Sequence, residues 1–111
     1  ISKVPEGKNY KALPREILEK RKFKYNEALT RYHSKKPSRT IDTGHRTHFH
    51  YKWNRIPTVR ENARLQSFPD DFIFYGNKQE RYRQVGNAVP PLLGKAIAKE
   101  VKELLNSNEK I

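Results

Sequence analysis

The sequence contains no cysteine and no methionine. Without cysteine there is no disulfide framework, no thiolate zinc site and no cysteine nucleophile. Apolar residues make up only 34% of the chain, against about 45–50% in an ordinary globular domain. A sizeable independent core is therefore not expected at this length. No apolar run approaches the roughly 20 residues needed to span a bilayer, and the start lacks a signal-peptide pattern. An intracellular chain with no membrane partner is expected. The 111 residues allow one domain or part of one, and with Ile at position 1 a piece of a longer protein is expected.

Acidic residues are also scarce: 12 Asp and Glu face 24 Lys and Arg, a net charge of +12. The imbalance is local. Residues 1–60 carry 16 basic and 5 acidic residues, a net of +11, whereas residues 61–111 carry 8 and 7, a net of +1. Clustered Lys and Arg displace counterions from phosphate, so the first half reads as a polyanion-facing surface. Interleaved aromatics such as Tyr10, Tyr32, Tyr51 and Trp53 fit that role. A solvated basic face or a flexible arm is the plainer alternative.

Pro14 is placed to open a helix, and Ile17, Leu18, Tyr25, Ala28, Leu29 and Tyr32 follow near helical spacing. Residues 39–43 and 46–51 read as two short strands around Gly44. Thr58 and Glu61 match a capping box, predicting a helix from about 59 that stops near Phe68, ahead of Pro69. Residues 79–85 predict one or two helical turns, with Gly86 as a left-handed C-cap. Pro90-Pro91 open a last helix to about Leu105, with Leu93, Ile97, Val101 and Leu104/Leu105 in one apolar stripe. That stripe suits either an internal core or docking on another body.

Glu61 and Arg64 stand three residues apart, the spacing of a structural ion pair. Gly86-Asn87-Ala88-Val89 forms a junction that suits a plain helix cap or a ligand-facing backbone. His45, His48 and His50 invite a metal reading, but zinc wants four ligands and no Cys is present. Surface or DNA-facing histidines are preferred, and no metal site is expected.

Two stretches then add what chemistry alone does not. The first runs Arg55, Thr58, Arg60, Glu61, Ala63, Arg64, Leu65, Gln66, Ser67, Phe68, Pro69, Asp70; the second is Gln84, Gly86, Asn87, Ala88, Val89, Pro90. Together, in this order, they resemble the last two motifs of the DNA (cytosine-5) methyltransferases. Upstream, residues 5–14 and the Arg31-Tyr32 and Lys36-Pro37-Ser38-Arg39-Thr40-Ile41 segments are similar to parts of the target-recognition domain in that family.

The resemblance implies the following. A large α/β domain holds S-adenosylmethionine and a cysteine that attacks C6 of a cytosine flipped from the duplex, and C5 takes the methyl group. The Gly-rich cofactor loop, the Pro-Cys motif and the Glu-Asn-Val motif of the family are absent here. The expected fold class is an α+β fragment. Residues 1–55 would be the end of the recognition domain, and residues 56–111 the final motifs plus a helix packed on a Rossmann-like α/β domain. Gly86, Asn87, Ala88 and Val89 would line the methionine end of the cofactor pocket. Thr40 would hold a phosphate near the flipped base, and Arg39 is a candidate phosphate or base contact. No catalytic residue is expected in this chain, and no methyl transfer from it alone. Its partners would be double-stranded DNA and an N-terminal catalytic domain or subunit, in a bacterial, nucleoid-associated restriction–modification setting. The rival expectation is a stand-alone basic DNA-binding module without catalysis.

Overall fold

The computed structural model describes residues 2–19, 29–44 and 48–109. A 3-10 turn at Tyr10–Ala12 leads to the short helix α1 (Arg15–Glu19). Next come two two-residue strands, β1 (Thr30–Arg31) and β2 (His48–Phe49). Three helices complete the order: α2 (Val59–Leu65), α3 (Lys78–Asn87) and α4 (Pro91–Glu109).

The long first helix expected after Pro14 is not observed over its whole span. Leu29 adopts a left-handed φ of 55°, and Thr30–Arg31 are strand. Residues 20–28, where the middle of that helix would lie, are outside the described residues. The strand expectation also changes. Residues 39–43 form no strand, and β2 pairs in parallel with β1, Thr30 opposite His48 and Arg31 opposite Phe49. Ile41 is the physical reason. It is buried with Ala63 and Val85, which lays its segment across α2 and α3 and away from a ladder partner.

α2 starts as expected: the Thr58 hydroxyl accepts from the Glu61 N–H, and the Glu61 carboxylate accepts from the Thr58 N–H. It ends earlier, at Leu65, for a reason the proline signal did not contain. Phe68 N–H donates to the Ala63 carbonyl (2.9 Å) and Ser67 N–H to the Arg64 carbonyl (3.0 Å), the two bonds of a Schellman motif. Ser67 takes the left-handed position at φ 67°, where glycine is the usual residue. The closure turns Phe68 back onto the core. Phe68, Phe72 and Phe74 pack mutually in tilted and edge-on pairs with centroids 4.9–5.0 Å apart.

α3 has its own capping box, Asn77 with Glu80. It runs two residues past the expected end, through Gly86 to Asn87, so Gly86 is helical and not a left-handed cap. Helix interiors disfavour glycine by about 0.5–1 kcal/mol relative to alanine, so Gly86 needs another explanation, given below. The core is small, as the composition predicts. Ile41, Ala63 and Val85 sit at its centre, flanked by Tyr32, Val59, Phe68 and Phe74. Tyr82 is buried beside it and donates from its hydroxyl to the Pro57 carbonyl at 2.6 Å.

α4 departs from this core. Its first turn is held by Leu92 N–H donating to Ser67 Oγ at 3.1 Å. From Lys95 to Asn108 every residue is exposed. The stripe at Leu93, Ile97, Val101, Leu104 and Leu105 is 50–65% exposed, so it is not an internal core face among the described residues. The overall shape agrees. A compact chain of this length has a radius of gyration of about 13 Å; here it is 18.4 Å.

Candidate functional site

Gly86 explains how the two predicted site segments meet. A Cβ built there would lie 2.3 Å from the Asp42 carbonyl oxygen, 2.5 Å from its carbon and 2.7 Å from Thr43 N. The space is filled by main chain, which cannot swing away. The bare backbone of α3 therefore accepts segment 39–43 directly. Thr40 and Arg39 are held two and three residues from that contact, both exposed. Asn87 and Val89 lie one and three residues on the other side of it, also exposed, with Ala88 half-buried. Gln66, the C-cap of α2, pins the same region by donating its side-chain amide to the Val85 carbonyl at 3.1 Å.

Ala88 is the C-cap of α3, with extended backbone (φ −75°, ψ 145°) and its N–H donated to the Val85 carbonyl. Val89 precedes Pro90, which disfavours helix there. The 88–90 stretch is thus an extended link between two helices, with the amide of Asn87 and the side chain of Val89 on open surface. Asn87 supplies a donor and acceptor amide, and Ala88 and Val89 apolar surface.

The N-terminal half is organised by the buried guanidinium of Arg31, a residue the sequence marked only as part of a family-like segment. Arg31 is 5% exposed. Its Nε donates to the Val4 carbonyl (2.6 Å), Nη1 to the His50 and Trp53 carbonyls (2.9 and 3.1 Å), and Nη2 to Asn54 Oδ1 (2.8 Å). A planar fork with five donors suits four acceptors spread over two segments. The main chain of Arg31 adds its N–H to the Lys8 carbonyl and receives Gly7 N–H at its own carbonyl. Sequence reasoning missed this anchoring role because a β-favouring Thr-Arg-Tyr context carries no mark of burial.

The expected Glu61–Arg64 pair is replaced by two others. Glu61 receives a bidentate bond from Arg55 (2.7 and 2.8 Å), and Arg64 donates to both oxygens of Asp70 (2.8 and 3.0 Å). In α2 the first turn needs Glu61 as its cap, which turns the carboxylate toward Arg55 and away from Arg64. The Arg-x-x-Thr-x-Arg-Glu spacing held the signal, since it places Arg55 just ahead of the cap. Arg55, then the Thr58 N–H, holds the Glu61 carboxyl at about 2, against an ordinary 4.5. A carboxyl lowered on folding stabilises the fold above about pH 4.5 and loses that contribution as the pH falls toward 2. Glu61→Gln is expected to flatten the acid limb of an unfolding titration between those values. An unchanged acid limb would contradict the pairing.

Among the described residues no group of three His, Cys, Asp or Glu is placed to hold a metal. His50 Nδ1 accepts from the Lys52 and Trp53 N–H groups (both 3.1 Å), and Nε2 lies 3.9 Å from Glu61. Burial lowers its pKa, partly offset by Glu61. His48 packs edge-on to Tyr32 at 5.3 Å. His45 lies outside the described residues. Among the described residues no helix is long and apolar enough to cross a membrane.

The family model for the C-5 cytosine-specific DNA methylases matches residues 2–103. The Type II methyltransferase M1.HphI of Haemophilus parahaemolyticus is 58% identical over 79 residues, covering 71% of this chain and 21% of that protein. The putative type II methyltransferase M.MJ0563P of Methanocaldococcus jannaschii is 42% identical over 118 aligned positions, covering 95% and 38%. The DNA (cytosine-5-)-methyltransferase M.ApeKI of Aeropyrum pernix is 49% identical over 81 residues, covering 69% and 17%. The chain thus spans between a sixth and two fifths of the length of these relatives. With a family model matched across nearly all of its residues, the chain belongs to the C-5 cytosine-specific DNA methylase family.

Proposed function

We propose that this chain is the DNA-reading and cofactor-closing part of a DNA cytosine-5 methyltransferase of a restriction–modification system. Residues 1–55 complete the recognition domain, and residues 56–111 close the cofactor pocket and dock on a catalytic α/β domain or subunit. The supporting observation is the main-chain contact of Asp42 and Thr43 on Gly86. It ties the Arg39-Thr40 segment to the Asn87-Ala88-Val89 segment, so that target and cofactor are addressed from one rigid junction.

S-adenosylmethionine supplies the electrophilic methyl group when bound. Asn87, Ala88 and Val89 would form the wall at its methionine end, with the helix N-terminus of α4 directly following. Thr40 and Arg39 would hold a backbone phosphate beside the flipped cytosine, a positioning role that carries no base information by itself. Base flipping exposes the reacting carbons, and the nucleophilic thiolate must come from a segment outside this cysteine-free sequence. The exposed stripe of α4, 50–65% accessible along its length, provides the docking face.

The test is reconstitution. Methyl transfer from labelled S-adenosylmethionine to duplex DNA is expected only when this chain is combined with one carrying the Pro-Cys motif. Asn87→Ala in the reconstituted enzyme should raise KM for the cofactor by about tenfold, the worth of one polar contact. Robust transfer by this chain alone would overturn the proposal. Specific duplex binding by this chain alone, indifferent to Asn87→Ala and never yielding transfer, would favour a stand-alone binding module.

A further inference from the structure

A second basic surface lies away from Arg39 and Thr40. A concavity of about 460 Å³ opens where the N-termini of α2 and α3 converge, and Arg55, Arg60, Lys78 and Arg81 line it with no carboxylate among the lining residues. Each cation is placed differently. Arg55 is committed to Glu61 at the rim. Arg60 is locked in orientation by donating to the Pro69 and Phe72 carbonyls (3.3 and 2.6 Å), with its guanidinium 5.7 Å over the Phe74 ring. Those acceptors are neutral, and the carboxylate that feels its charge, Asp70, is itself held by Arg64. Lys78 is exposed at the first position of α3. Arg81 is half-buried, and its Nε–H has no hydrogen-bond acceptor although the atom is inaccessible to solvent.

The lining cations give the concavity a surplus of positive charge, and the two helix N-termini beside it favour an anion as well. Both N-termini are already capped by their own side chains, so the cations, and not the helix ends, define the site.

We propose that this concavity is a phosphate-binding subsite, and that its occupant is a phosphodiester of the duplex at a distance from the flipped base. The inference rests on the DNA-reading function proposed above. An open concavity lined by Arg and Lys suits a polymer backbone, and the base edges are not needed. The contact would be independent of sequence and would fix the register of the recognition half on DNA.

Lys78→Gln and Arg81→Gln, each in the enzyme reconstituted with its catalytic part, test this. Each variant is expected to reduce the slope of log affinity against log salt by about one, equally on target and non-target duplexes. Lys102→Gln on α4 serves as the comparison and should leave the slope unchanged. A normal slope in both subsite variants, with duplex binding otherwise intact, overturns the proposal. Absence of any duplex binding by the unsubstituted reconstituted enzyme would instead refute the DNA-reading function itself. Inorganic phosphate separates the two sources of the same chemistry. If millimolar phosphate shifts the Arg81 Nε–H resonance while the DNA salt slope of Arg81→Gln is normal, the site takes a free anion, and the assignment to the DNA backbone fails.

Discussion

Gly86→Ala is expected to lower methyl transfer by the reconstituted enzyme at least tenfold, more than any change at the exposed residues around it. The added methyl would meet the Asp42 carbonyl oxygen at 2.3 Å and two further main-chain atoms within 2.7 Å. No rotamer change relieves a clash with main chain, so α3 and segment 39–43 must separate. Overpacking of this kind costs about 1–3 kcal/mol. The functional cost is larger, because displacing a positioning group by about 1 Å can cost a hundredfold in rate. The effect should fall on both cofactor and DNA, since the contact joins Asn87-Val89 to Arg39-Thr40. A higher KM for cofactor in parallel with a lower affinity for target duplex is the expected pattern. A Gly86→Ala enzyme with normal affinity for both would show that the junction does not couple them. Alanine is the better helix former, so a loss on this substitution cannot come from helix propensity.

Arg31→Met is expected to open the N-terminal half. The guanidinium serves four acceptors: the carbonyls of Val4, His50 and Trp53 and the side chain of Asn54. Methionine fills part of the volume but donates nothing. Hydrogen bonds from a charged donor are worth about 1.5–3 kcal/mol, and the deepest acceptor, Val4 O, is left in a buried place. A loss of about 3 kcal/mol in local stability is the expected sum, since water can reach the partly exposed acceptors. Amide exchange reads this directly. The N–H groups of Arg31 and Tyr32, bonded to the Lys8 and Phe49 carbonyls, should exchange about a hundredfold faster, while those in the interior of α3 stay slow. Arg31→Lys should fare little better, because a single ammonium cannot span acceptors on two segments. A change below threefold at both amides would exclude Arg31 as the anchor.

Much of the second half was legible before the structure. Capping boxes are local chemistry, and Thr58 with Glu61 marked the start of α2 correctly. The Pro90-Pro91 start and the apolar stripe predicted α4, although the helix runs on to Glu109. The misreadings share one cause, dependence on a distant partner. Residues 39–43 favour strand by composition, yet Ile41 is claimed by Ala63 and Val85, about 20 and 45 residues away along the chain. Ser67 gives no left-handed signal, and only the Schellman closure and the seat of Phe68 select it. Glu61 and Arg64 have ideal spacing for a pair, but the cap and Asp70 offered each a better partner.

By itself the sequence determined the charge division, the absence of a thiol nucleophile, the caps and the motif order that marks the family, because each depends on residue type and short spacing alone. Only the tertiary structure decided that Gly86 serves its own chain's main chain and that Arg31 is a buried anchor. It also decided that four cations share one concavity and that α4 leaves its apolar face uncovered. Those features are contacts between residues far apart in sequence. Their energies come from main-chain approach, burial and hydrogen bonding, which exist only once the segments are brought together.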